Sequence, residues 1–132
     1  MGDRSLEVQK AVKALIAADA TIMTTYGVTG IYDIPTPDAA FPYLRISEIN
    51  VTPQEIKVED WFEYFMNIHV WDLSDGTIRT RNIVSAIHDL FHRNTLTLDS
   101  GYQPSTYVLN SQVLIDPDNV TQHGVIRIRV VD

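Results

Sequence analysis

His88 and His92 stand four residues apart with Asp89 between them. On a helix that spacing sets two imidazoles on one face, the arrangement a divalent metal takes. No third ligand accompanies them, and the Glu of a zincin-type motif is absent. On a helical wheel His92 points away from the apolar stripe and His88 lies at its margin, so both read as surface histidines. His69, between Asn67 and Trp71 in a strand pattern, could act as a general base, but no nucleophile or acid is tied to it. It reads as a packed or interface histidine. His123-Gly124 precedes a strand and reads as local structure. Asp116-Pro117-Asp118-Asn119 has the oxygens of a calcium loop without the twelve-residue pattern and its closing Glu. It reads as a turn. There is no glycine-rich phosphate loop and no Gly-x-Ser-x-Gly elbow. No catalytic, cofactor-binding or metal residue is therefore assigned, and the chain is expected not to be an enzyme. A small metal- or histidine-dependent enzyme built on His69, or on His88 and His92, is the remote alternative.

The element that holds His69 is more informative. Residues 61–71 alternate strictly, with Phe62, Tyr64, Met66, Ile68 and Val70 on one face. The other face mixes Trp61, Phe65 and Trp71 with Glu63, Asn67 and His69. Period-two alternation signals a strand. At about 3.3 Å per residue it spans about 36 Å, while a compact chain of this length has a radius of gyration of about 14 Å. Helices of one domain can cover one face of such a strand. The aromatics on the other face point to a partner.

Composition sets the outer limits. The 132 residues are 45% hydrophobic, enough for one globular domain with its own core. There is no cysteine, which excludes disulfides, thiolate metal sites and a Cys nucleophile. The formal net charge is -7 and the pI about 4.9, against nucleic-acid binding by phosphate neutralisation. Such a charge suits a protein that DNA slides past. No stretch approaches the roughly 20 apolar residues of a membrane span, and no basic-then-apolar start marks a secretory signal. The chain is expected to be soluble and made inside the cell, without a membrane partner.

Along the chain, Leu6, Val8, Val12, Leu15 and Ile16 predict a helix over 4–18, capped by Asp3 or Ser5. Asp19 reads as the N-cap of a short helix over 20–26, closed by Gly27. Residues 31–33 form a short extended piece, followed by an irregular loop with Pro35, Pro37 and Pro42. Residues 43–51 predict a strand, and the polar stretch 52–60 a mobile loop before the long strand. Ser74-Asp75-Gly76 opens a helix with a stripe of Ile83, Val84, Ile87, Leu90 and Phe91, ending at Arg93 with Asn94 as left-handed cap. That stripe is expected to lie on Phe62, Met66 and Ile68. Residues 96–98 form a short strand. Tyr107, Leu109, Val113 and Ile115 share one face of the next strand. Ile126, Ile128 and Val130 point inward on the last, with Arg127 and Arg129 outward. The order predicts a single α+β domain, a mainly antiparallel sheet with helices packed on one face.

Several segments, in order, resemble the tail-terminator (tail-completion) family of siphophages and gene transfer agents. They are Ala17-Ala18-Asp19-Ala20, Gly30-Ile31-Tyr32-Asp33, Ala40-Phe41-Pro42-Tyr43, His69-Val70-Trp71 with the following helix, Asp116-Pro117-Asp118, and Thr121-Gln122-His123-Gly124-Val125. The resemblance implies an α+β fold and a homo-oligomeric ring, typically a hexamer, that caps the finished tail tube. Such a ring stops further addition of tube subunits and offers a docking surface to the neck or head-completion proteins. DNA only passes through its lumen, with no sequence-specific binding. No activity or cofactor is implied. A protein of this kind is made in the bacterial cytoplasm and incorporated at the head–tail junction of the particle. A head-completion or connector adaptor of the same particle is the alternative reading.

A closed ring requires two different patches on each subunit. Two are expected here. One is the segment Thr52, Gln54, Glu55, Lys57, Glu59 and Asp60 with Trp61. The other is the half-polar sheet face with Glu63, Phe65, Trp71, Arg127 and Arg129, where an arginine would pair across the subunit boundary or with Glu63 of its own chain.

Overall fold

The computed structural model describes residues 4–56, 59–73 and 76–131. Helix α1, Ser5–Ala17, buries Val8, Val12 and Ile16 at one-turn spacing. Its N-cap is Arg4, with no side-chain capping bond, in place of the expected Ser5; Asp3 lies outside the described residues. The Arg4 amide instead donates to the Tyr64 hydroxyl at 2.9 Å, which gives the buried phenol on the apolar face of the long strand its polar partner. Asp19 caps as expected: its Oδ1 accepts from the Ile22 amide at 3.0 Å. The helix it opens is a single π-helical turn, Thr21–Thr25, and Gly27 follows at φ +69°.

The six strands are β1 (Ile31–Tyr32), β2 (Tyr43–Ile56), β3 (Glu59–Asp72), β4 (Asn94–Thr95), β5 (Ser105–Ile115) and β6 (Gln122–Val131). They form one sheet in the order β1-β2-β3-β6-β5-β4. All neighbours are antiparallel except β1 and β2. This is the expected α+β architecture, with the core on one face of the sheet. Leu44, Ile46, Met66, Ile68, Val70, Ile126, Ile128 and Val130 are buried there against the helices.

The sheet departs from expectation in two places. The stretch 52–60 is strand, not loop: Thr52↔Glu63, Gln54↔Trp61 and Ile56↔Glu59 continue the β2–β3 ladder. Polar composition disguised it because backbone pairing does not require an apolar face. Second, β5 carries a bulge between Val108 and Asn110. The extra residue reverses the alternation. Tyr107 therefore stands beside Arg129 on the face away from the helices, whereas Val113 stands beside Gly124 on the core face. Tyr107 is thereby parted from Val113 and Ile115, with which it was expected to share a face, and Leu109 and Ile115 are exposed. A matching bulge interrupts β2 between Ser47 and Asn50. Both bulges lie beside the central Met66–Ile128 pair, so the sheet bends along one line.

Helix α2, Ile78–Phe91, buries Thr80, Ile83, Val84, Ile87 and Phe91. It begins after Thr77; Ser74 and Asp75 lie outside the described residues. It packs over β6 and β5 more than over β3, so the expected seat on Phe62, Met66 and Ile68 is corrected. Gly124 explains the shift: a Cβ there would stand 2.6 Å from Val84 Cγ2, so only glycine lets the helix approach β6 this closely. Both ends are pinned. Asp72, fully buried, accepts from Arg79 Nε at 2.7 Å and from Arg79 Nη2, and the Thr106 hydroxyl donates to the Phe91 carbonyl at 2.5 Å. The left-handed residue after the helix is Arg93, φ +56°, not Asn94. Asn94 instead donates from its side chain to the Leu90 carbonyl and opens β4, so the short strand falls at 94–95, ahead of the expected 96–98. Leu96 and Leu98 point into the core from the loop.

Candidate interaction surface

The sheet face turned away from the helices carries the side chains that remain to be explained. Alternation sets Trp71, His69, Asn67, Phe65 and Glu63 of β3 beside His123, Val125, Arg127, Arg129 and Val131 of β6. None of these is fully buried.

At one end the rings form a stack. Trp71 and His123 lie face to face with centroids 3.7 Å apart, and His69 stacks on His123 at 5.0 Å. His69 Nδ1 and His123 Nε2 are 2.7 Å apart and share a hydrogen bond. The other imidazole nitrogen, His69 Nε2, lies 3.0 Å from Glu48 Oε1. Glu48 also accepts from the Asn67 amide. The β2 bulge sets up this contact: Glu48 occupies the left-handed region at φ +53° and turns its carboxylate across β3. The Asn67 hydrogen bond is the main reason its carboxyl titrates below the ordinary range, helped by His69. His123 is also held low, first by burial and then by the neighbouring His69, while Asp116 and Glu48 pull the other way.

Toward the hairpin end, Arg129 Nε donates to Glu63 Oε2 at 2.6 Å. Arg127 donates to Asn67 Oδ1 at 3.2 Å and its guanidinium sits 5.3 Å from the centre of the Phe65 ring. The sheet thus brings together Glu63, Phe65, Arg127 and Arg129 as one patch, with Trp71 in the ring stack at the other end and Thr52 exposed beside Glu63 on β2. Lys57 lies outside the described residues, and Gln54, Glu55, Glu59, Asp60 and Trp61 are placed by their backbone on the paired hairpin.

Sequence reasoning missed Glu48 and His123 as members of this surface. His123 read as local structure ahead of the last strand, whereas that strand begins at Gln122. The signal for Glu48 was the broken alternation Ser47-Glu48-Ile49-Asn50, which marks a bulge. His88 and His92 do stack, at 5.1 Å, and both are exposed on α2. Among the described residues no three His, Cys, Asp or Glu side chains are grouped to hold a metal. Asp116 and Asp118 do form the expected turn: Asp118 Oδ1 accepts from the Val120 and Thr121 amides, both at 2.9 Å. The His69–His123 pair lines none of the principal clefts. One, of about 320 Å³, lies on the helical side between Asp19, Tyr26, Ser85 and Asp89. This surface is equipped to bind through rings, guanidinium groups and carboxylates.

Comparison with known proteins defines the class. The family model described as tail completion protein gp17 matches residues 10–131. The tail completion protein gp17 of Bacillus phage SPP1 is 29% identical over 104 residues, covering 77% of this chain and 75% of that protein. Its solved structure superposes with a TM-score of 0.68 at 25% identity, over 97% of this chain and 90% of that one. A chain in the virion of a native gene transfer agent particle has a TM-score of 0.87 at 17% identity, over 99% of this chain and 98% of that one, which shows a shared fold. The class is therefore that of structural proteins of phage-type particles. The chain belongs to the tail completion protein gp17 family. Among the described residues no helix is long and apolar enough to cross a membrane.

Proposed function

We propose that this chain assembles into a closed homo-oligomeric ring, a hexamer, on the tip of the finished tail tube. There it ends tube polymerisation and presents a docking surface to the head-completion or neck protein. It performs no catalysis and needs no cofactor, and DNA passes through the lumen without sequence-specific contact.

One observation carries this reading. β6 pairs with β3 as far as Glu63↔Val131, yet β2 and β3 remain paired with each other out to Ile56↔Glu59. Beyond Glu63 the hairpin is a two-stranded ribbon that outruns the sheet by about 14 Å. Two strands alone are marginal in water, so a ribbon of this length is best explained by a surface it packs on in the assembly. The tube tip or the adjacent subunit offers that surface, and Thr52, Gln54, Glu55, Lys57, Glu59, Asp60 and Trp61 are its contact residues. The second patch is the outer sheet face with Glu63, Phe65, Trp71, Arg127 and Arg129. Two dissimilar patches on one subunit are what heterologous ring closure requires. The net charge of -7 suits a lumen that repels the DNA backbone.

The test is to replace residues 52–60 by a short turn. The described core is built from other residues, so the variant is expected to fold with a near-unchanged melting temperature and to fail to cap tubes. Capping at the wild-type level would overturn the assignment of the hairpin.

A further inference from the structure

Both margins of the sheet are left largely open. On the outer edge of β2, β1 pairs with Leu44 and Arg45, and from Ile46 to Ile56 no strand among the described residues lies there. On the outer edge of β5, β4 pairs only with Ser105 and Thr106, so Tyr107 to Ile115 is similarly open. Within this stretch His92 Nδ1 lies 3.4 Å from the Val108 amide. Open strand edges present unpaired N–H and C=O groups and accept another strand.

Register and direction identify that strand. β2 and β5 are separated by β3 and β6 with every step antiparallel, so β5 runs opposite to β2. The β5 edge of one copy can therefore join the β2 edge of the next as one more antiparallel pair, with the helices of both copies on the same side. The two open runs are similar in length, and the join repeats head to tail.

The short strands fix the offset. Arg45, His69, Val125 and Gln112 lie on one line across the sheet. A neighbour set level would bring its Gln112 against Arg45, where Tyr32 of β1 already sits. Sliding the neighbour by four residues, the step from His69 to Phe65 on β3, moves Gln112 up to Asn50. The slide is about 13 Å. It clears β1 and leaves β4 level only with Glu55 and Ile56 at the hairpin end, and an even step keeps outward side chains outward. Closing a sheet on itself demands such a stagger. Pro53, which has no N–H, limits pairing toward the hairpin tip.

The geometry points to edge-to-edge antiparallel pairing of β5 with β2 of a second copy, staggered by four residues, as the contact that joins subunits. This rests on the ring reading above and adds the surface that builds the ring.

The chain has no cysteine, so introduced pairs report cleanly. Asn50 and Gln112 are both exposed and point away from the helices. The full chain carrying Asn50→Cys and Gln112→Cys is assembled on tail tubes, oxidised and run without reductant. A ladder of covalent oligomers is expected, absent from each single variant. In the wild-type chain, amide exchange at 46–52 and 107–115 is expected to slow on assembly. Rings that form without the ladder and without added protection overturn the edge contact and leave the ring reading standing. Cross-linking through Ser47→Cys with Asn110→Cys, which face each other only without a stagger, overturns the proposal as well. Tubes capped by single copies overturn the ring reading and this contact together.

Discussion

Glu63 and Arg129 form an ion pair within one chain, 2.6 Å from Oε2 to Nε, although neither is opposite the other in the β3–β6 register. They reach each other diagonally across the Phe65–Arg129 step. Arg129 is therefore engaged before any partner arrives, whereas Arg127 is held by one 3.2 Å bond to Asn67 and by the Phe65 ring. The two arginines should behave differently. Arg129→Ala is expected to lower the stability of the free chain by about 1 kcal/mol. Arg127→Glu should leave the melting temperature within a few degrees and weaken assembly. Thermal unfolding and sizing of capped tubes separate the two effects.

The Asp72–Arg79 pair predicts an asymmetry. Asp72 is fully buried while the Arg79 side chain is 40% exposed. Arg79→Ala takes the guanidinium from a buried carboxylate that also accepts from the Leu73 amide at 2.7 Å, and should cost about 3–5 kcal/mol. Asp72→Ala releases a guanidinium that can turn to water and should cost less. Urea unfolding of the two variants gives the order.

Acid should destabilise the chain through the outer-face cluster. Glu48 and His123 both titrate below their ordinary values in the folded state. The unfolded chain then takes up protons first, so the stability these groups supply is intact above their unfolded pKa and lost as pH falls through the folded one. For His123 the loss begins near pH 6.5, where a free imidazole titrates, and for Glu48 near pH 4.5, where a free glutamate does. The melting temperature is expected to fall as pH drops from about 8 to about 5. His123→Gln should flatten the part of that fall between about pH 7 and 5. An unchanged pH profile in the variant would assign the effect elsewhere.

The legible parts of the fold were those where burial imposes a period. Val8, Val12 and Ile16, the inner row of β3 from Phe62 to Val70, and Ile126, Ile128 and Val130 declare helix and strand by spacing alone. What the pattern hid was irregularity. The bulges at 48–49 and at Leu109 reverse the alternation, so Tyr107 was placed on the face of Val113 and Glu48 was overlooked. Strand pairing through 52–56 and 59–60 left no mark because backbone hydrogen bonds are indifferent to side-chain type. The seat of α2 depended on the missing Cβ of Gly124, a contact with Val84 that no local window contains. Of the outer surface, its arginines and Trp71 were legible as the outward row. The His69–His123–Glu48 network required three strands to be aligned.

The central claim is that this protein stops tail-tube growth. The direct measurement is electron microscopy of particles from a producing strain lacking this gene. Overlong tubes without heads are predicted, restored to normal length by the wild-type chain and not by the chain with 52–60 shortened. Tails of normal length that merely fail to join heads would contradict termination and move the protein to the neck.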